Sequence, residues 1–147
     1  MSAVTEIVSA LKTEITTLLT EYKESPFTYN LEANDSQLDK SFGLKVGSAS
    51  VVAGVTKHLT FDQEFTLDLT RKFLTKKDQG DKDMRSKIEL IHTDIETLYK
   101  SMSLRAFNVP SAKILLITPL DISAPSTEDN IVTVTMTLKV QYRVVIN

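Results

Sequence analysis

The segment from Ile131 to Ile146, IVTVTMTLKVQYRVVI, constrains the fold of this chain more than any other. Apolar residues stand at its even-numbered positions, and polar residues stand at the odd-numbered positions from Thr133 to Arg143. This alternation is typical of a β-strand with one apolar and one hydrated face. Fully extended, the segment would span about 53 Å, whereas a globule of this chain length has a diameter of about 38 Å. We therefore expect the strand either to bend at a bulge or to reach into another molecule of an assembly.

A second strictly alternating segment begins at His58. Five of its odd positions from Phe61 to Phe73 carry aromatic or leucine side chains, and its even positions from Thr60 to Thr70 carry threonine and acidic side chains. The odd-numbered apolar residues are Phe61, Phe65, Leu67, Leu69 and Phe73. Residues 43–54, just before it, mix three glycines with small and β-branched residues. This mixture indicates glycine-punctuated strands with bulges or close packing, and its spacing fits neither a dinucleotide-binding nor a phosphate-binding loop.

Two further segments predict strands. Phe27–Leu31 alternates briefly, and Ile114–Ile122 is a longer aliphatic stretch. Pro119 interrupts the second segment and should lie at an edge or a bulge, because proline cannot donate a hydrogen bond to a neighbouring strand. The polar residues 123–130 then turn the chain into the closing strand.

Two segments show the three-and-four spacing of amphipathic helices. The first begins at Val4, has Ser2 as a plausible N-cap and is followed by Pro26, which predicts a helix over about residues 3–24. The second begins at Met84 and predicts a helix over about residues 83–103, with Asp81 or Asp83 near its start. Its stripe is too short for a coiled coil and favours packing on a sheet.

The predicted elements follow the order helix, short strand, two strands in a glycine-rich hairpin, helix, strand, strand. Because the helices do not alternate with single strands, we expect an α+β fold with a mostly antiparallel β-sheet. Each helix has a single apolar stripe, so both should pack on one face of that sheet. A length of 147 residues with 41% hydrophobic content predicts one domain covering residues 1–147.

Composition excludes several classes of function. The chain has no cysteine, so a disulfide, a thiolate metal site and a sulfur nucleophile are all impossible. A formal net charge of -2 gives no overall attraction to nucleic acid or to anionic membranes. The first residues lack the pattern of a signal peptide, and no apolar run approaches the roughly 20 residues that span a bilayer.

Few residues have the spacing of a catalytic or metal site. His58 and His92 are the only histidines, and their separation favours partly exposed side chains over a zinc site or a catalytic pair. Asp62, Glu64 and Asp68 share one face of a predicted strand, and carboxylates gathered in this way can transfer protons or hold a cation. Threonines occupy the sites between them, as on a solvated face. We favour that interpretation and expect no catalytic, cofactor-binding or metal-binding residues.

Charged residues crowd the end of the second alternating strand and the segment after it. Residues 75–83, TKKDQGDKD, lack a large apolar side chain, so an exposed loop is expected. Acidic residues are mixed with the basic ones and no aromatic residues are interleaved, which favours a protein contact over nucleic-acid binding. The residues assigned to this contact are Arg71, Lys72, Lys76, Lys77, Asp78, Asp81 and Lys82. A solvated spacer remains the alternative.

The chain resembles the tail terminator, or tail completion, proteins of long-tailed bacteriophages over nearly its whole length. The resemblance lies in the order of elements: an amphipathic N-terminal helix, a long strand ending LDLTRKF, the basic loop, a second helix and a strand ending VTVTMTLKVQYRVV. The most characteristic part is the alternation of threonine and valine that runs into Gln141, Tyr142, Arg143 and Val144.

The resemblance implies a structural virion subunit that forms a six-membered ring at the head-proximal end of the tail tube. Such a ring ends tube polymerisation and joins the tail to the neck, after assembly in the host cytoplasm. The implied partners are further copies of the chain, the tail tube protein and a neck or head-closure protein. DNA would pass through the ring without sequence-specific binding, and neither a membrane, a cofactor nor an enzymatic activity is implied. The alternatives are another head-to-tail connector or tube-like ring protein or, in other classes, a small enzyme or a phosphate-binding module.

Overall fold

A computed structural model of the chain describes residues 2–25, 39–55, 57–73, 80–104, 108–128 and 130–145. Within these residues the chain forms two helices and seven strands. In chain order they are α1 (Ala3–Leu18), β1 (Lys23–Glu24), β2 (Ser41–Val55), β3 (His58–Lys72), α2 (Gly80–Leu104), β4 (Asn108–Val109), β5 (Ala112–Ile122), β6 (Ser126–Glu128) and β7 (Ile131–Val145).

The strands form one sheet in the order β1-β2-β3-β7-β5-β4, and β6 pairs with β7 beyond the end of β5. β1 is parallel to β2, and every other pairing is antiparallel. The prediction of an α+β fold with a mostly antiparallel sheet is therefore confirmed. The predicted glycine-rich hairpin is the β2–β3 pair, in which a turn with Lys57 at positive φ joins Val55 to His58.

β3 and β7 form the centre of the sheet. All 15 residues of each strand pair without a register shift, from His58 opposite Val145 to Lys72 opposite Ile131. The bulge expected in the closing strand is absent from β7, which β3 and β5 flank and whose apolar face is buried as far as Tyr142. The bulges lie instead in β2 and β5. Contact of the closing strand with another molecule of an assembly stays a prediction.

Both helices pack on one face of the sheet, as predicted. Their buried side chains form a single cluster with the odd-numbered residues of β3 and the even-numbered residues of β7, which share a face because they lie opposite each other. Full burial of each such aliphatic side chain stabilises the fold by about 1.5–3 kcal/mol. The largest fully buried side chains on these four elements are Ile7, Leu11, Ile15, Phe65, Leu67, Leu69, Ile91, Ile95, Leu98, Met136 and Leu138.

α1 begins where the sequence predicted and ends earlier. Ser2 is the N-cap and its Oγ accepts a hydrogen bond from the backbone N–H of Thr5 at 3.2 Å. The helix ends at Leu18 and not near residue 24, because a turn follows in which the N–H of Tyr22 donates to the carbonyl of Leu19 at 3.0 Å. The backbone then pairs with the start of β2. The N–H of Lys23 donates to the carbonyl of Lys40, just before that strand, at 2.9 Å, and the N–H of Ser25 donates to the carbonyl of Phe42 at 2.8 Å.

α2 begins earlier than predicted, so residues 80–83 belong to the helix and not to the preceding loop. Pro119 lies beside a register shift in β5, on a strand with an open outer side, which confirms its predicted position at an edge or a bulge. β1, β4 and β6 were not predicted, since two or three residues are too few to show a period. The predicted strand at Phe27–Leu31 lies outside the described residues.

Candidate functional surface

The face of the sheet opposite the helices is lined by polar side chains. It carries the even-numbered residues of β3 and the odd-numbered residues of β7, which pair as Asp62 with Gln141, Glu64 with Lys139 and Asp68 with Thr135. Most of these side chains are half-buried by their neighbours on the same face. Both described helices lie on the other side, so this face is a broad polar surface of the subunit.

The three carboxylates of β3 point to this polar face, as predicted, and each has its own partners. Asp62 accepts a hydrogen bond from Gln141 Nε2 at 3.1 Å and lies 3.7 Å from Lys139 Nζ. Asp68 accepts one from Thr135 Oγ1 at 2.6 Å and forms an ion pair with Lys45 at 3.3 Å. These contacts separate the acidic groups, and among the described residues no three acidic or histidine side chains are grouped as metal ligands.

The second half of β2 is exposed, in contrast to its first residues. Ser41 to Leu44 are buried, whereas the ten residues Val46–Val55 are all exposed. Val51 and Val55 expose 61% and 67% of their surface, which is unusual for β-branched aliphatic side chains on a strand. Among the described residues this half of β2 pairs with β3 on one side only and is therefore an exposed edge of the sheet with apolar side chains in solvent.

A bulge marks the point where β2 leaves the core. The register shifts between Val46 and Ala49, and the buried Gln63 of β3 lies opposite this irregularity. Its Nε2 donates to the carbonyls of Gly47 at 2.8 Å and Ser48 at 3.2 Å, which the bulge removes from regular pairing. Gln63 thus holds the bulge at the start of the exposed half of β2 in one conformation.

β5 carries the second exposed apolar strip. Its inner side pairs with β7, and β4 pairs with its outer side only at Ala112 and Lys113. Along the rest of the strand Leu116 is 57% exposed, and Leu115, Leu120 and Ile122 are also exposed. The two sides of the sheet therefore each end in a strand with aliphatic residues in solvent.

Arg71 does not lie on an exposed contact surface, contrary to its assignment from the sequence. It is buried, and its Nε donates to Tyr22 Oη at 2.9 Å while Nη2 contacts Asp94 at 3.3 Å and Glu21 at 3.2 Å. Tyr22 Oη in turn donates to Asp94 Oδ2 at 2.7 Å. This cluster joins α2 and the end of β3 to the turn after α1.

Burial and these hydrogen bonds shift the proton affinities of the cluster. Burial raises the pKa of Tyr22 well above its ordinary value, and the hydrogen bond to Asp94 raises it further. For Arg71, burial opposes the charge, but the contacts with Tyr22 and Asp94 outweigh this effect and raise its pKa. The neutral phenol and the charged guanidinium are therefore the stable forms in the folded chain.

The other residues of the proposed charged contact are only partly described. Lys72 and Lys82 are exposed, Lys72 at the end of β3 and Lys82 in the first turn of α2. Asp81 belongs to the same helical turn. Lys76, Lys77 and Asp78 lie outside the described residues. The structure thus separates Arg71 from this set and leaves two exposed lysines beside the segment.

The two histidines lie on different elements, one at the start of β3 and the other in the middle of α2. Nδ1 of His58 is buried and has no hydrogen-bond partner among the described residues. Both side chains are half-buried. The structure does not bring them together.

The exposed edges were missed by the sequence reasoning, although the sequence held a signal for them. Residues 49–55, ASVVAGV, contain no charged residue and no alternation of apolar and polar side chains. Strands at the edge of a sheet normally carry charges or proline that prevent pairing with other chains. A strand without them, next to a regularly alternating one, is a candidate for contact with another chain.

None of the described helices is long and apolar enough to cross a membrane. No protein-family model matches the chain, and no curated protein matches it either.

Proposed function

We propose that this chain is a structural ring subunit at the head-proximal end of a bacteriophage tail tube, where it ends tube polymerisation and joins the tail to the neck. The proposal combines the resemblance in the order of elements with one observation in the structure. That observation is the exposed half of β2, with ten exposed residues that include several valines. A lone subunit gains no stability from apolar side chains in solvent, whereas a neighbouring subunit would bury them.

The shape of the sheet supports the same function. A ring around a channel needs subunits with a broad wall, and the polar face formed mainly by β3 and β7 is such a surface. On this face Asp68 is paired with Lys45 and Asp62 with Lys139, so the face combines both signs of charge. A wall of this kind would let DNA pass without tight binding, which requires an excess of basic side chains.

The test compares tail assembly with and without the protein. Purified protein should have the mass of a closed ring in solution or on tails, and particle images should show it at the head-proximal end. Tails assembled without it should grow beyond their normal length, and added protein should restore that length. A protein that is monomeric both free and on tails would exclude the ring.

The same experiment separates this function from the alternative of another neck or connector protein. Loss of a connector would leave tails of normal length that fail to join heads. A tail tube-like protein would instead be needed for any tube to form. Tail length is therefore the measurement that distinguishes the three assignments.

A further inference from the structure

We propose that one end of the polar face binds a phosphate group between Thr60, Arg143 and Lys113, here called the basic row. Thr60 of β3 lies opposite Arg143 of β7, which lies opposite Lys113 of β5. Directly opposed side chains share a face and have Cβ atoms about 4.5–5.5 Å apart. The row therefore brings a hydroxyl, a guanidinium and an ammonium group together. This inference goes beyond the proposed ring and does not depend on it.

The opposition of Arg143 and Lys113 is unfavourable in the subunit by itself, because like charges directly opposite each other destabilise a sheet. Neither side chain forms an ion pair or a hydrogen bond with any described residue. Asp62 lies in the next row of the same face, but its carboxylate accepts a hydrogen bond from Gln141 at 3.1 Å and lies 3.7 Å from Lys139. An anion between the two cations would replace their repulsion with attraction.

Lys57 adds a third positive charge at the same end of the sheet. It lies in the turn between β2 and β3, just before His58, and its φ of 73° is in the left-handed region. Glycine or asparagine adopts this conformation with less strain than lysine. Lys57 is exposed and has no ion pair among the described residues. Two features that cost stability thus place unpaired positive charge at one end of the sheet, as a binding site for an anion requires.

The three donor groups suit phosphate better than a carboxylate. A carboxylate has two oxygens, and a guanidinium alone can bind both of them. A phosphate group carries further oxygens in a tetrahedral arrangement, so the groups on either side of Arg143 can also donate to it. Arg143 and Thr60 are half-buried, which strengthens their hydrogen bonds to an ion. Lys113 is exposed, so its ammonium group is free to move onto the ion.

The first experiment measures thermal unfolding in phosphate and in chloride at equal ionic strength and pH. Arg143→Gln and Lys113→Gln each remove one charge of the basic row. Arg85→Gln is the matched control, because Arg85 is exposed on α2 and has no ion pair among the described residues. In chloride, the two row variants should melt at or slightly above the temperature of the parent, since each substitution removes the repulsion.

In phosphate, the melting temperatures of the parent and of Arg85→Gln should rise by about 2–4 °C more than those of the row variants, since only the intact row binds the ion. The control is needed because phosphate also stabilises folded proteins through its exclusion from their surface. An equal rise in all four proteins would overturn the site.

Titration calorimetry with inorganic phosphate gives an independent measurement. The parent should bind one ion per subunit, and Arg143→Gln should bind it about tenfold more weakly or less. Arg143→Lys should have an intermediate affinity, because lysine keeps the charge and loses the paired hydrogen bonds of the guanidinium. A parent that does not bind phosphate would contradict the proposal.

A free phosphate ion and the backbone of a nucleic acid present the same chemistry, and a DNA titration distinguishes them. A fluorescent DNA duplex of arbitrary sequence is titrated with each protein at low salt. DNA binding that is lost in both row variants and retained in Arg85→Gln would assign the site to nucleic-acid phosphates. Phosphate binding without DNA binding would assign it to a free ion. Either result supports the site.

These outcomes are distinct from those that test the proposed function. The row variants should still form the ring and attach to tails, with tail length unchanged. Row variants that fail to attach to tails but bind phosphate like the parent would make the row a contact with acidic groups of another protein and overturn the phosphate site. A parent that binds phosphate but stays monomeric, both free and on tails, would overturn the ring and leave the site in place.

Discussion

At the scale of single residues, the cluster of Tyr22, Arg71 and Asp94 shows how a charged residue enters the interior. The guanidinium of Arg71 has hydrogen-bond partners on two sides, and its Cζ lies 5.0 Å from the centre of the Tyr22 ring. A charge without such partners would cost several kcal/mol in the interior. The cluster therefore fixes the turn after α1 against α2 and β3.

Tyr22 gives the chain a pH-dependent stability on the alkaline side. Burial raises the pKa of Tyr22, and also those of Tyr99 and Tyr142, above the ordinary value of 10.0. Above pH 10 the unfolded chain loses these protons while the folded chain keeps them. The stabilisation is therefore complete below pH 10 and decreases as the pH rises beyond it.

Replacing Tyr22 with Phe should reduce this dependence. Above pH 10 the free energy of unfolding should fall less steeply in the variant than in the parent chain. The two slopes should differ by up to about 1.4 kcal/mol per pH unit. At neutral pH the variant should lose about 1–3 kcal/mol, because Arg71 and Asp94 each lose a partner. Urea unfolding at a series of pH values measures both effects. If the free energy of unfolding falls equally steeply above pH 10 in the parent and the variant, Tyr22 ionises similarly in the folded and the unfolded chain.

Gly47 is required at the bulge by a close approach of the backbone. A Cβ added there would lie 3.1 Å from the carbonyl oxygen of Glu64, whereas a Cβ at Gly54 would lie 3.3 Å from a methyl of Leu59. The methyl can rotate away, and the carbonyl is fixed in the sheet. We expect Gly47→Ala to lower the melting temperature clearly, and Gly54→Ala, the matched control, to change it little. Similar melting temperatures would mean that the bulge can relax.

At the scale of elements, β7 has one face for the core and one for the polar surface. Leu138 is 1% exposed in the core, whereas Thr137 lies on the polar face. Thr135 is a less suitable control than Thr137 because its hydroxyl is bonded to Asp68. The two neighbouring positions thus test the register of the strand directly.

Leu138→Asp should prevent soluble folding or cost several kcal/mol, because it buries an unpaired carboxylate. Thr137→Lys, which places a charge on the polar face opposite Asp121, should change the free energy of unfolding of the isolated subunit by less than about 1 kcal/mol. Chemical unfolding and soluble yield measure the difference. Equal damage from both substitutions would contradict the separation of the two faces.

At the scale of the whole molecule, the exposed lysines beside the segment 74–79 are expected to contact the tube or the neck. Charge reversal of Lys72 and Lys82 should leave the melting temperature nearly unchanged, since exposed charges contribute less than about 0.5 kcal/mol. It should weaken attachment to tails in a way that depends on salt, because electrostatic contacts between exposed groups are screened.

Lys113→Glu is the control, since Lys113 is exposed on β5 at the opposite end of the sheet, level with Thr60. Attachment is measured as the fraction of tails that carry the protein at several salt concentrations. If the Lys72 and Lys82 variant attaches like the parent and like the control at every concentration, the segment is a spacer and the contact lies elsewhere.

The sequence by itself determined the elements whose side chains repeat regularly over many residues. β3, β7 and both helices were predicted because one face of each is buried along its length, and burial imposes a period of two or of three to four. The α+β class and the polar position of Asp62, Glu64 and Asp68 followed from the same periods. Most of the fold could be predicted in this way.

Only the tertiary structure decided which elements meet and which edges stay open. Tyr22 fits the apolar spacing of α1 and was therefore included in the predicted helix. The helix ends before this residue, and the turn that follows returns the ring of Tyr22 to the core. Arg71 was assigned to the surface, since its partner Asp94 is distant in the sequence and their contact has no local signal. The exposed edges of β2 and β5 likewise depend on the order of strands, which pairs β3 with β7 and leaves those two strands outermost among the long ones.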